Sequence, residues 1–140
     1  NDNFQVKEIV FKREPIDTVV NRLENPDVCM FSNYIWNENY NQLMAERIKE
    51  CYPNCIIVFG GPQVNEDGYT FLKENPFVDA FIINEGEIST QSFLLDVLNN
   101  RSLEKVYNKP PRVNLSNKPS PYLDIPSVKT SEITRDPPKP

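Results

Sequence analysis

The chain has 140 residues, 39% hydrophobic and 25% charged, with a formal net charge of −5 at pH 7. That length supplies one modest core and not a second. The acidic balance, with no basic run, argues against nucleic acid as a partner, and no apolar stretch approaches the roughly 20 residues that cross a bilayer.

There is no histidine, which removes Ser/His and Cys/His catalysis and imidazole metal ligation. The three cysteines, Cys29, Cys51 and Cys55, are few and odd in number. They fit a reducing, cytoplasmic setting better than a disulfide scaffold. The start at Asn1 and the ending Pro137-Pro138-Lys139-Pro140 read as a segment cut from something longer.

In chain order, residues 4–11 (FQVKEIVF) have the Val, Ile and Phe content of a strand, with Lys7 and Glu8 suggesting an edge. Pro15 opens a short helix whose Ile16, Val19, Val20 and Leu23 share one face, ended by Asn25-Pro26-Asp27. Val28-Cys29-Met30-Phe31 is a continuous apolar run, as in a parallel strand covered on both faces. A helix over 40–52 follows, with Met44, Ile48, Cys51 and Tyr52 on one face. Ile56-Ile57-Val58-Phe59 is the next buried strand, closed by Gly60-Gly61-Pro62. A short helix over 66–75 places Phe71 and Leu72 inward. Ala80-Phe81-Ile82-Ile83 is the last strand, and Ile88 to Leu98 the last helix.

This βα alternation predicts an open, mostly parallel sheet with right-handed crossovers and helices on both faces, a three-layer αβα domain over residues 1–100. From residue 101 the character changes. Eight of the thirteen prolines lie at or beyond Pro110, and no glycine follows Gly86. So much proline cannot hold helices or central strands, so residues 101–140 read as an extended linker.

Ligands of open α/β sheets bind beyond the carboxyl ends of the strands, and three loops leave those ends. In Ser32-Asn33-Tyr34-Ile35-Trp36-Asn37, Ser32 offers a hydroxyl, and Tyr34 and Trp36 offer broad apolar area for a flat ligand. The competing reading folds Ile35 and Trp36 back onto the core, and for Trp36 alone that reading is favoured. In Gly60-Gly61-Pro62-Gln63, paired glycines permit positive φ and close backbone approach, or simply a tight turn. In Asn84-Glu85-Gly86-Glu87, two carboxylates flank a glycine. No partner group completes an acid/base set, so helix-start or ligand-contact roles are favoured over a stand-alone enzyme using Glu85 and Glu87. The Cys51/Cys55 pair falls short of a cluster site and reads as inert buried thiols.

The order of these pieces resembles the cobalamin-binding domain of B12-dependent radical SAM proteins. Asn25-Pro26-Asp27-Val28 and the loop from Ser32 to Asn37 resemble its first segment. Tyr52-Pro53-Asn54-Cys55 through Gly60-Gly61-Pro62 resembles its second, and Pro76-Phe77-Val78-Asp79 with Glu85-Gly86-Glu87 its third. Pro119-Ser120-Pro121-Tyr122-Leu123 is similar to its lead into the radical SAM barrel, so the likeness spans roughly residues 15–125.

The resemblance implies a flavodoxin-like or Rossmann-like module that binds cobalamin. Ser32, Gly60, Gly61 and Pro62 would contact the nucleotide tail, and Tyr34, Asn37, Glu85 and Gly86 are further candidate contacts. The barrel of a parent protein would be the partner, holding S-adenosylmethionine and a [4Fe–4S] cluster. Three departures stand out: no D-x-H-x-x-G histidine for cobalt, no cluster cysteines, and no counterpart of the family's first strand and helix. In the family's 2-1-3-4-5 order that strand is central. No residue of this chain is therefore expected to be catalytic or to ligate a metal. The alternative from another class is a degenerate, ligand-free domain acting as a docking module through its proline-rich tail.

Overall fold

The computed structural model describes residues 3–62 and 68–108 of the chain. Its elements run α1 (Ile16–Val20), β1 (Val28–Ser32), α2 (Glu38–Cys51), β2 (Ile56–Gly60), α3 (Gly68–Glu74), β3 (Ala80–Ile82), α4 (Gly86–Leu98) and β4 (Val106–Tyr107). The four strands form one all-parallel sheet in the order β1-β2-β3-β4.

The strands are apolar on both faces because helices cover both. Ile57, Phe59 and Phe81 are buried on one face against Val19 and Val20 of α1, Met44, Ala45 and Ile48 of α2, and Phe71 of α3. Val58, Ala80, Ile82 and Tyr107 point the other way and are buried with Phe93 of α4. The result is the expected three-layer α/β arrangement. The 3.6-residue spacing of Ala45 and Ile48 turns one stripe of α2 inward, whereas Cys51, expected on that stripe, is exposed.

Four sequence expectations are corrected. Residues 4–11 form no strand: Phe4, Val6, Ile9, Val10 and Phe11 are exposed, and the segment runs beside α1, with Arg22 pairing Glu8 at 3.0 Å and Glu14 at 2.8 Å. Strand composition expresses itself only where a ladder partner and a face to bury are available, and none adjoins this segment among the described residues. The Pro15-opened helix ends at Val20 rather than Leu23, though Leu23 still packs against the core.

The sheet also does not stop at β3. Residues 106 and 107, within the stretch read as linker, form β4, while 109–140 lie outside the described residues. Finally, α4 lies on the opposite face from α2 and α3 while β4 continues outward in the same direction. The last crossover therefore has the opposite hand to the first two, so the expected single hand fails there. Tyr107 anchors this terminal strand: its ring meets Phe93 edge-on at 5.5 Å, and its hydroxyl donates to Asp96 at 3.0 Å.

At the amino ends of the strands, the Asp79 carboxylate accepts from the Ile57 amide and from Lys49 Nζ, both at 2.7 Å, while Lys49 also donates to the Cys55 carbonyl. Cys29 and Cys55 lie on the α1–α3 face of the sheet and share a thiol hydrogen bond. That contact holds the Cys29 thiol below its ordinary value and pushes the Cys55 thiol up, with burial adding to the rise. These groups tie the closed end of the sheet. Among the described residues, no group of three or more His, Cys, Asp or Glu side chains is arranged to hold a metal.

Candidate functional site

The parallel order places the ends of β1, β2, β3 and β4 along one edge. Ser32 closes β1 opposite Gly60, which closes β2. The Asn33 amide then donates to the Gly60 carbonyl at 2.6 Å, carrying the ladder one residue past the strand. Gly61 turns away with φ of 100°, a conformation that L side chains rarely adopt. A Cβ there would lie 2.7 Å from the Asn33 oxygen, 2.8 Å from its nitrogen and 3.2 Å from Ser32 Oγ. The first and second loops thus meet at van der Waals distance, and glycine is required by both torsion and space. Gly60 differs: its added Cβ would meet the Ile82 carbonyl at 3.4 Å.

Asn84, past β3, adopts φ of 61°, and its side-chain Nδ2 donates to Asn108 Oδ1 at 2.9 Å, joining the loops after β3 and β4. Glu85 immediately precedes α4 in extended conformation, with no side-chain capping hydrogen bond, and is exposed. Gly86 is the first helical residue, and a Cβ there would meet only ordinary contacts beyond 3.6 Å, so no steric demand keeps it glycine. Glu87 lies in the first turn, favourable against the helix dipole.

Of the residues singled out from sequence, Ser32, Tyr34, Gly61, Pro62 and Glu85 are exposed and Asn37, Gly60 and Gly86 half-buried. Ser32, Gly60 and Gly61 are brought into direct proximity; Gln63 lies outside the described residues. Asn37 acts locally: its Oδ1 accepts from the Tyr34 amide at 2.8 Å, and its Nδ2 donates to the Ser32 carbonyl at 3.0 Å, closing the loop on itself.

Trp36 and Ile35 do not fold back onto the core; they are 68% and 77% exposed. Trp36 stacks on Tyr34 at 4.6 Å and 14°. Behind this pair, Arg13, Tyr40 and Leu43 help to line a cleft of about 290 Å³ with Trp36 and Ile35. Arg13 donates to the Trp36 carbonyl at 2.6 Å and sits over the Tyr40 ring.

Sequence reasoning missed Asn33 and Asn41, which are 3% and 8% exposed. The available signal was Asn41 itself, a polar residue three and seven positions before Met44 and Ile48 on an apolar stripe. Among the described residues, the edge they support offers hydroxyl, amide and backbone groups, the Glu85 carboxylate and, beside Trp36, the Arg13 guanidinium. Such an edge suits a large ligand held by hydrogen bonds and apolar contact.

No family model matches the chain. It is 33% identical over 91 residues to the cobalamin-dependent radical SAM methyltransferase TokK of Streptomyces tokunonensis, covering 65% of this chain and 13% of that protein. It is 30% identical over 95 residues to a 2-(S-pantetheinyl)-carbapenam-3-carboxylate methyltransferase of Streptantibioticus cattleyicolor, covering 68% of this chain and 14% of the relative. The chain thus spans about one-seventh of the length of these curated relatives. In structure it is similar to the N-terminal domain of a hypothetical protein from Thermotoga maritima, with a TM-score of 0.51 and 15% identity over 73% of this chain and 78% of that one. That likeness concerns the fold alone. No described helix is long and apolar enough to cross a membrane.

Proposed function

We propose that this chain is the cobalamin-binding part of a radical SAM enzyme and holds the cofactor at the carboxyl edge of its sheet. The observation that carries the reading is the meeting of Ser32 with Gly60 and Gly61. Two motifs separated by a whole helix in sequence form one cradle, at a point where any side chain on Gly61 would fill the space. Similarity to two methyltransferases, one of them described as cobalamin-dependent, supports it.

Ser32, Gly60, Gly61 and Pro62 would hold the nucleotide tail through a hydroxyl and closely approached backbone. Tyr34, Asn37, Glu85 and Gly86 would border the corrin. The chain has no histidine and would offer the cobalt no imidazole. Cobalamin, when bound, would supply the cobalt chemistry; the residues of this chain bind and orient it. A radical SAM barrel elsewhere in a longer polypeptide would be the partner and the seat of S-adenosylmethionine and [4Fe–4S] chemistry.

Titration with hydroxocobalamin tests the proposal: a saturable change in its visible spectrum is expected, weakened by Ser32→Ala. Absence of any change at high micromolar cofactor would favour the ligand-free docking module instead.

A further inference from the structure

We propose that Asn41 is the positioning residue of the carboxyl edge, a buried amide brace that fixes Ser32 and Asn33 against the Gly60–Gly61 turn. The brace is inferred from the hydrogen bonds of the first loop, and only its effect on affinity rests on the cobalamin reading above.

Asn41 projects from the first turns of α2, on the stripe that carries Met44 and Ile48 into the core. An amide in that position loses its water and is tolerated only if its hydrogen bonds are replaced. The donors of Asn41 find partners within one loop: Nδ2 donates to the Ser32 carbonyl at 3.2 Å and to Asn33 Oδ1. Asn37 Nδ2 donates to the same Ser32 carbonyl from the outer side. Asn33, almost fully buried, turns its backbone amide the other way, onto Gly60.

The chain of contacts therefore runs from α2 through Asn41 and Asn33 to the second loop. Ser32 Oγ and the Asn33 backbone are the atoms that a Gly61 Cβ would strike. A shift of the first loop by a fraction of an ångström opens or closes that space. An apolar residue at position 41 would pack as well against the helix stripe but would leave both acceptors without this donor. Asn41 thus sets the shape of the ligand-facing edge without reaching the ligand.

The alternative is that Asn41 contributes to general stability and nothing more. Amide hydrogen exchange on the full, ligand-free chain separates the two, comparing wild type with Asn41→Leu and with Asn41→Asp, which keeps the shape but loses the donors. If the brace exists, both variants speed exchange at Asn33 about ten- to a hundredfold, the value of one or two buried hydrogen bonds, while the Ile57 and Phe59 amides in β2 keep their protection. Unchanged protection at Asn33, equal loosening of β2, or wild-type behaviour of Asn41→Asp overturns it.

On the binding side, hydroxocobalamin affinity is expected to fall about tenfold in Asn41→Leu, the effect of losing roughly one buried hydrogen bond. Undiminished affinity in that variant overturns the brace's role in shaping the edge. A wild-type chain that binds no hydroxocobalamin defeats the functional reading instead, and the exchange comparison still decides the brace.

Discussion

Two adjacent glycines at the end of β2 look alike in sequence and are physically different. Gly60 has a negative φ and room for a methyl group; Gly61 has φ of 100° and backbone within 2.8 Å of where that methyl would sit. Gly60→Ala is therefore expected to change stability by less than about 1 kcal/mol. Gly61→Ala should cost about 1–3 kcal/mol, the usual cost of forcing a side chain into a sparsely populated torsion. It should also displace the Ser32 loop. Urea unfolding measures the first effect and hydroxocobalamin titration the second. Gly60 is thus the cleaner place to probe ligand access with a larger side chain, because its fold cost is separable. The pair's potential for close approach was legible in the sequence. Which member uses it was not, because torsion is set by the direction in which the chain must leave the strand.

Between elements, β4 shows how much a single anchor can do. Two residues of strand hold the outer edge, and the Tyr107 hydroxyl joins them to α4 through Asp96 while accepting from the Glu104 amide at 3.1 Å. Burial, reinforced by the Asp96 carboxylate, pushes the Tyr107 phenol above its ordinary value. A folded-state value above the unfolded one gives stability that is intact below about pH 10 and declines as the pH rises further. Tyr107→Phe should cost about 1–2 kcal/mol at neutral pH, because the Glu104 amide and Asp96 lose a partner. It should also flatten the alkaline decline; denaturant midpoints from pH 8 to 11, compared between the two chains, check both. The proline content beyond residue 109 hid this strand, since the composition of the tail swamped a two-residue signal. The reverse error concerned residues 4–11, where ample β-branched composition met no neighbouring strand to pair with among the described residues.

Across the whole molecule the core is unevenly distributed. Phe59 is fully buried between Phe31, Phe71 and Phe81. Met30, on β1, is 48% exposed on the side covered by α4 farther along the sheet. Phe59→Ala should therefore cost about 3–5 kcal/mol and Met30→Ala less than about 1 kcal/mol, measured as unfolding free energies. Comparable losses would mean that β1 is covered on that side after all.

The sequence by itself determined the alternation of strands and helices, the parallel α/β class and the three loops that face one edge. Those properties follow from local periodicity and from the rule that parallel strands end together. Tertiary structure alone decided which glycine is irreplaceable and that Trp36 stands clear of the core. It also decided that Asn41 turns a polar side chain into an apolar stripe to brace Ser32 and Asn33. Each of these depends on atoms far apart in sequence meeting within a few ångströms, and no local pattern encodes such a distance.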